Sequence, residues 1–372
     1  MPHLSVIELG GVDGLVMTNA FVALAESVNR GERGDTLVIC HPSAPFANAG
    51  VHQEVEREIS LEYCRRRGIQ VVRRVIGGGA IADGPWEEDY FHITPLDSDI
   101  TRGSIQDYYV RMLEPVRRAL LRLGVRAERQ GLNDLAVGGR KISANGAVDI
   151  EGARVLTGDV LMDLNVDMMS SILRVPDEKF RDKVAGSMAG YLTSIREQTG
   201  AEADRARVAE ALAAEFSYDY GGMERSSLSS AERERVDELV EERGRDDWIF
   251  ERREMHRAIG DVERRIVKIR EGMFLCRHDW KGQKLVRVTV LVDNGVISDI
   301  TISGDFFSLP VEWRISRLED ALKGVRAAKR DVENAAAALL RGDGVTMIGA
   351  SARDIATAVA EALEHPIVVP AG

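Results

Sequence analysis

Hydrophobic and polar positions along this 372-residue chain change period several times, and each change predicts an element. Thr18 to Arg30 carries apolar residues at helical spacing, and the run Thr36 to Cys40 is apolar enough for a buried strand. Leu61 to Arg67 returns to helical spacing and meets Gly68, a residue that ends helices readily, after which Ile69 to Arg73 reads as a strand. Ser104 to Leu123 predicts a long amphipathic helix stopping at Gly124, with Pro115 expected to kink it or mark a boundary. Asp134 to Val137 and Lys141 to Ser143 read as strands joined by a Gly138-Gly139 turn, and Arg154 to Asp163 continues the strand-rich stretch.

From about Ala201 to Arg270 the pattern becomes rich in Glu, Arg and Ala, broken at Ser227 to Ser230 by a helix N-cap signal. Both signs of charge are interleaved there, as on solvated helix faces. Lys284 to Val292 and Val296 to Ile302 flank Asn294-Gly295, a hairpin signature, and helical patterns follow at Arg314 to Leu322, Val332 to Leu340 and Ala352 to Leu363. The pattern predicts an α+β chain with two domains, residues 1–254 and 255–372, the second a small α+β unit.

Composition supports packed cores, with 44% hydrophobic and 29% charged residues. The length exceeds the about 250 to 300 residues at which single cores usually stop growing. A formal net charge of -11 speaks against nucleic acid as a partner. The start Met1-Pro2-His3-Leu4-Ser5 has no export pattern and no window is apolar enough for a membrane span, so a cytoplasmic location without a membrane partner is expected. Cys40, Cys64 and Cys276 lack the paired spacing of a thiolate metal site or redox centre and fit a reducing compartment, and Cys40 at a strand end and Cys64 on a helix face read as buried structural thiols.

Two segments carry chemistry. Arg73-Arg74-Val75-Ile76 runs into Gly77-Gly78-Gly79-Ala80, where bare backbone amides can approach an anion and a forked guanidinium can pair with it. Neighbouring residues on a strand point to opposite faces, so one of the two arginines is expected to enter a site. The segment is neither a Walker loop nor a dinucleotide fingerprint, and a tight bend is the alternative reading of the glycines. The second segment, Gly139-Arg140-Lys141-Ile142-Ser143, presents a lysine after a hairpin turn. Such a lysine is either a solvated strand residue or a fixed charge that stabilises a phosphate and a developing oxyanion. His92 and His278 lack partners at metal-ligand spacing, and Trp86 and Phe91 read as core with an apolar channel as the alternative.

Taken in order, Glu54-Val55-Glu56-Arg57-Glu58-Ile59, Leu61-Glu62-Tyr63-Cys64, Gly68 to Arg74, Gly77 to Ala80, Asn133-Asp134 and Gly139 to Ser143 resemble the lipoate-protein ligase family. Val175 to Phe180 and Asp246-Asp247-Trp248 look like later landmarks of its catalytic domain, and the remainder looks like its accessory domain. The likeness is to archaeal-type members, with both parts fused.

The resemblance implies a mixed β-sheet catalytic domain with flanking helices, of the fold shared with biotin-protein ligases. It also implies adenylation of lipoate or octanoate by ATP with Mg2+, and transfer of the acyl group to a lysine of a lipoyl carrier protein. That carrier would be a glycine-cleavage carrier, a 2-oxoacid dehydrogenase acyltransferase domain or a sulfur-oxidation lipoate-binding protein. Lys141 matches the catalytic lysine; Arg74, Gly77, Gly78, Gly79 and Ala80 match the loop around the acyl-adenylate; Asn133 and Asp134 match its polar partner segment; Gln53 matches a pocket position. Where many members have His-Asp-x-Gly-Asn, this chain has Ala82-Asp83-Gly84-Pro85-Trp86, leaving Asp83 as the magnesium candidate. Gln130-Gly131-Leu132-Asn133 lacks the cysteine of one octanoyl-transferase subgroup, which disfavours a thioester route.

Overall fold

The computed structural model describes residues 3–174, 181–251, 266–270 and 272–364. The expected boundary at 254/255 and the landmark Val175 to Phe180 lie outside these. Contacts divide the chain into one unit of Met1–Asn48, Arg57–Arg74 and Ile81–Ile249, and another of Ala49–Glu56, Val75–Ala80 and Phe250–Gly372. Two short stretches of the N-terminal half therefore belong to the C-terminal unit.

The chain begins with β1 (Leu4–Val12), α1 (Gly14–Asn29), β2 (Thr36–Pro42), β3 (Phe46–Ala49), α2 (Val55–Glu58), α3 (Leu61–Arg67) and β4 (Gln70–Arg73). It continues through β5 (Ile81–Asp83), β6 (Glu87–Pro95), α4 (Ile105–Arg122), β7 (Glu128–Gln130), β8 (Asp134–Val137), β9 (Arg140–Ile150) and β10 (Ala153–Leu161). Next come α5 (Val166–Ile172), α6 (Arg181–Tyr191), α7 (Ile195–Thr199), α8 (Arg205–Phe216), β11 (Met223–Ser226), α9 (Ser230–Arg243) and α10 (Asp246–Ile249). Eight strands form one sheet in the order β11-β1-β2-β6-β10-β9-β8-β7, mixed because β1 runs parallel to β11 and β2 whereas β6 is antiparallel to β2 and β10. A smaller sheet has the order β4-β3-β5.

Alternation along the central strands sorts side chains to two faces. On one, Leu37, Ile39, Tyr90 and Leu156 join Leu113, Val116 and Leu120 of α4 and Val208 and Leu212 of α8 in a continuous core. On the other, Phe91 stacks on Phe21 of α1 with ring centroids 4.8 Å apart. The Ser104 side chain and Asp107 form a reciprocal cap at the start of α4. Of the two outcomes expected at Pro115, a kink or a boundary, the boundary is absent: α4 continues through Pro115, which is itself buried in this face. The apolar stripe is buried on both sides of the proline, and that packing outweighs one lost backbone donor.

The second unit contains β12 (Ile266–Arg270), β13 (Met273–Lys281), β14 (Leu285–Asp293) and β15 (Val296–Gly304), an antiparallel sheet in that order. After these come β16 (Phe307–Leu309), α11 (Ser316–Leu322), α12 (Lys329–Gly342), β17 (Thr346–Ile348) and α13 (Ala352–Glu364). Its core joins Val286, Val288 and Val290 to Leu318, Val332 and Ile355. Asn294 and Gly295 both adopt positive φ, 49° and 80°, as the two-residue turn between β14 and β15 requires.

Candidate active site

Gly138 and Gly139 turn between β8 and β9 with φ of 57° and 82°, a conformation that other residues resist. Arg140 then anchors the start of β9 by pairing with Glu197 and donating to the Leu192 carbonyl. Lys141 follows, paired with Ala136 of β8 on one side and bridged to Leu192 on the other, where its carbonyl accepts from the Thr193 amide at 2.8 Å, so it is not an edge residue. Its ammonium lies 2.8 Å from Asp134 Oδ2 and 5.1 Å from the centroid of the Tyr191 ring. Burial lowers the affinity of this amine for its proton, but Asp134 and Tyr191 more than offset that and hold it above the ordinary lysine value. The group is a permanent cation at neutral pH, suited to stabilising negative charge and unsuited to nucleophilic attack.

Asn133 donates from Nδ2 to the Asn145 carbonyl, and Asn145 donates to Ser143 Oγ at 3.1 Å while accepting from the Tyr90 hydroxyl. The segment before Lys141 is thus tied to β9 by Asn133, with Asp134 turned to the lysine.

Arg74 lies just beyond β4. It donates to the carbonyl and side-chain oxygens of Asn48 at 3.1 and 3.3 Å, and Asn48 Nδ2 donates to Asp83 Oδ2 at 2.7 Å. Burial brings Arg74 down to about 10 and lifts Asp83 to about 6, the Asn48 bond and Arg74 limiting the latter rise. Arg73 points elsewhere and donates from Nε to the Ile249 carbonyl at 2.9 Å.

Sequence reasoning overlooked the acids beside these groups. Glu87 and Asp89 share one face of β6, and Asp159 of β10 lies directly opposite Asp89 in the ladder. Burial, then the neighbouring acids, pushes Glu87 and Asp89 well above the usual carboxylate range. Asp159 is raised to about 7 by burial against a backbone bond from Ala144, with Asp83 pushing it up and Lys141 pulling it down. Asp159 thereby connects the Arg74–Asp83 end of the site electrostatically to Lys141. On the opposite face Glu88 is paired with Arg205 and still reaches about 7 through burial. The signal available was the triplet Glu87-Glu88-Asp89 running straight into Tyr90-Phe91-His92-Ile93, acids opening a strand that must be buried.

Gln53 and Gly77 to Ala80 belong to the second unit. Gln53 Oε1 accepts from the Gly50 amide at 3.0 Å. A Cβ on Gly77 would collide with the Phe306 carbonyl, and Gly78, at φ 95°, donates to that same oxygen at 3.3 Å. Two of the glycines thus serve a close approach of backbones. Gly79 instead has open space around it, since a methyl group there would meet nothing nearer than Asp305 Cβ at 3.9 Å. His52 Nε2 lies 2.9 Å from Ser308 Oγ.

All three cysteines are buried. Burial pushes the Cys64 and Cys276 thiols up to about 11, and burial followed by Asp89 also raises the Cys40 thiol well above its ordinary value. Trp86 and Phe91 are buried as core residues. His92 Nε2 lies 2.8 Å from the Tyr220 hydroxyl, and His278 pairs with Glu361 at 2.9 Å. Among the described residues no group of three or more His, Cys, Asp or Glu is placed to hold a metal ion, and no helix is long and apolar enough to cross a membrane.

Residues 21–217 match the family model of the lipoyl protein ligase A/B catalytic domain, and residues 285–352 that of the bacterial lipoate protein ligase C-terminus. Lipoate-protein ligase LplJ of Bacillus subtilis is 32% identical over 160 residues, covering 43% of this chain and 47% of that protein. The chain thus spans about half the length of that relative. In fold it is similar to the bipartite lipoate protein ligase of Thermoplasma acidophilum, solved in a study of that ligase and its E2 lipoyl domain, with TM-score 0.59, 24% identity, and coverage of 67% of this chain and 97% of the other. It is also similar to lipoate-protein ligase A bound with ATP, with TM-score 0.54, 21% identity, and coverage of 67% and 98%.

Proposed function

The chain belongs to the lipoyl protein ligase A/B catalytic-domain family, and from that premise we propose that it is an ATP-dependent lipoate-protein ligase. It adenylates lipoate or octanoate and passes the acyl group to one lysine of a lipoyl carrier protein. Residues 1–254 form the catalytic part in this reading and residues 255–372 the accessory part.

The observation that carries the reading is the fixed ammonium of Lys141, held by Asp134 on a strand between two others. In the first half-reaction a carboxylate oxygen of the acid attacks the α-phosphorus of ATP, the bond to pyrophosphate breaks, and negative charge builds on the phosphoryl oxygens. A cation fixed in place beforehand stabilises that charge without rearranging during the reaction. In the second, the carrier amine attacks the acyl carbonyl, the C–N bond forms, and AMP leaves with the electron pair of the broken C–O bond. Lys141 stabilises the oxyanion and Arg74 the departing phosphate. Glycine amides of Gly77 to Gly79, with Ala80, Asn133 and Gln53, are the proposed remainder of the substrate-binding set. Asp83 would be the protein carboxylate that holds a magnesium ion bound to the nucleotide phosphates, an ion that would neutralise phosphate charge. The neighbour solved with ATP and the neighbour studied with an E2 lipoyl domain support ATP as substrate and a lipoyl domain as acceptor.

An octanoyl or lipoyl transferase working through a thioester needs an accessible thiolate. Buried thiols with raised proton affinity at Cys40, Cys64 and Cys276 argue against it. A non-catalytic acyl-carrier-binding protein would have no need of a fixed cation. The test is incubation of the protein with lipoate or octanoate and each of the three carrier types, with and without ATP, followed by intact-mass measurement of the carriers. ATP-dependent acylation is expected; acylation without ATP, or none, contradicts the proposal.

A further inference from the structure

Asp89 and Asp159 face each other on adjacent antiparallel strands; Asp83 and Glu88 act on Asp89 as further negative charges, and Glu87 is itself pushed up by Asp83 and by the pair. Like charges directly opposed in a ladder are destabilising, and two buried carboxyls at that spacing cannot both ionise freely. Asp159 Oδ1 accepts the Ala144 amide at 2.6 Å. Asp89 is 8% exposed, and its Oδ2 is buried without a hydrogen-bond partner. Among the described residues no lysine or arginine forms an ion pair with either carboxyl: Arg205 is taken by Glu88 and Lys141 by Asp134. Glu26, the one acid of α1, which packs on this face, is paired with Arg235. From β2 the neighbour opposite Asp89 is the uncharged Cys40.

An orphaned carboxylate oxygen in a buried, net-negative pair is an acceptor that lacks its cation. Among the described residues no group of three or more His, Cys, Asp or Glu is placed to hold a metal ion by itself, so a resident metal does not supply this cation. The ligase chemistry itself supplies a cation, because the acceptor lysine arrives as an ammonium and must lose a proton before it can attack. Resting on that reading, we infer that the Asp89–Asp159 pair is the acceptor-amine subsite, receiving the incoming lysine ammonium and taking its proton.

The step balances. One proton passes from the ammonium nitrogen to a carboxylate oxygen of the pair, the freed lone pair attacks the acyl carbonyl carbon, and the C–N bond forms as the C–O bond to the adenylate phosphate breaks. AMP leaves with that electron pair, the second amine proton goes to water, and the pair afterwards releases its own proton to solvent. An affinity for protons shifted towards neutrality, as at Asp159, suits a base working near pH 7. The electrostatic link from Asp159 to Lys141 ties the pair to the activated acyl group.

The test uses the full-length protein with ATP, magnesium and lipoate, and two small acceptors: hydroxylamine, largely unprotonated at neutral pH, and Nα-acetyl-lysine amide, an ammonium there. Asp89→Asn is expected to lower the ratio of acyl-lysine to hydroxamate by about 100-fold. It should also let the remaining lysine transfer keep rising with pH, where the wild type levels off near neutrality. Asp159→Asn is the second variant, with the same expected loss. Because neutralisation removes a repulsion, both should unfold at higher temperature than wild type at pH 7.5; failure of both to fold would contradict the inference. A wild-type ratio in the variants, or a wild type that forms hydroxamate but no acyl-lysine, would overturn it. A wild type that forms neither product would instead remove the ligase reading on which it rests.

Discussion

The Lys141 ammonium and the Asp134 carboxylate meet at 2.8 Å across neighbouring strands β9 and β8, and this pairing keeps the lysine charged despite its burial. Asp134→Asn should therefore lower the proton affinity of the Lys141 amine. The expected outcome is faster modification of Lys141 by an amine-directed reagent at pH 8, mapped by peptide mass, together with a roughly tenfold lower rate of acid activation. Unchanged reactivity would show that Asp134 does not set the charge.

Stability should respond to pH through the raised acids. Asp83 at about 6 and Asp159 at about 7 bind protons in the folded state that the unfolded chain releases near pH 4, so their contribution is fully present below about pH 4 and is lost as pH rises to about 7. Each tenfold change in proton affinity is worth about 1.4 kcal/mol. Glu232, lowered to about 2 through Arg33 and its own helix cap, acts in the opposite sense, so the effect is read by difference. The stability of Asp159→Asn minus that of wild type should grow between pH 4.5 and 7.5 in denaturant titrations; a constant difference would contradict the assignment.

The glycine triplet divides by role. Gly77→Ala drives a methyl group into the Phe306 carbonyl and should cost about 1–3 kcal/mol of stability. Gly79→Ala meets open space and should cost less than about 0.5 kcal/mol, while raising the KM for ATP if its bare backbone serves the adenylate. Thermal unfolding and steady-state kinetics on the two variants separate these outcomes.

Cys64→Ser should leave acyl transfer within about twofold of wild type, since a buried thiol raised to about 11 is a poor nucleophile at neutral pH. A loss beyond tenfold in a folded variant, or a thioester found on any cysteine by mass spectrometry, would favour the transferase reading.

Local signals carried much of the fold. Helix α3 runs from Leu61 to Arg67 as its spacing predicts, and Gly68 closes it at φ 64°, because helix termination is decided by the few residues at the end. The Asn294-Gly295 and Gly138-Gly139 turns were legible for the same reason. Strand β9 was legible only at its start, Lys141 to Ser143: Ala144 to Gly146 lacks strand character, yet lies within it because Ala144 pairs with β8 and Asn145 and Gly146 with β10. The acids of β6 and β10 were missed because their significance lies in cross-strand register, which links residues about seventy positions apart. The grouping of Gly77 to Ala80 with the C-terminal unit likewise depends on a partner, Phe306, far along the chain. Lys141 and Arg74 stand as site candidates from the order of short motifs; what holds each of them, Asp134 for one and Asn48, itself bonded to Asp83, for the other, took the folded structure to see.

In the proposed reaction Lys141 serves ATP-dependent activation of a carboxylic acid. Lipoyl-adenylate formation by the wild type and by Lys141→Ala, followed as pyrophosphate release with lipoate present, tests it most directly. The expected result is lipoate-dependent pyrophosphate release by the wild type and a loss of about 100- to 1,000-fold in a folded Lys141→Ala. Release at the wild-type rate by that variant, or no lipoate-dependent release by the wild type, would contradict the account.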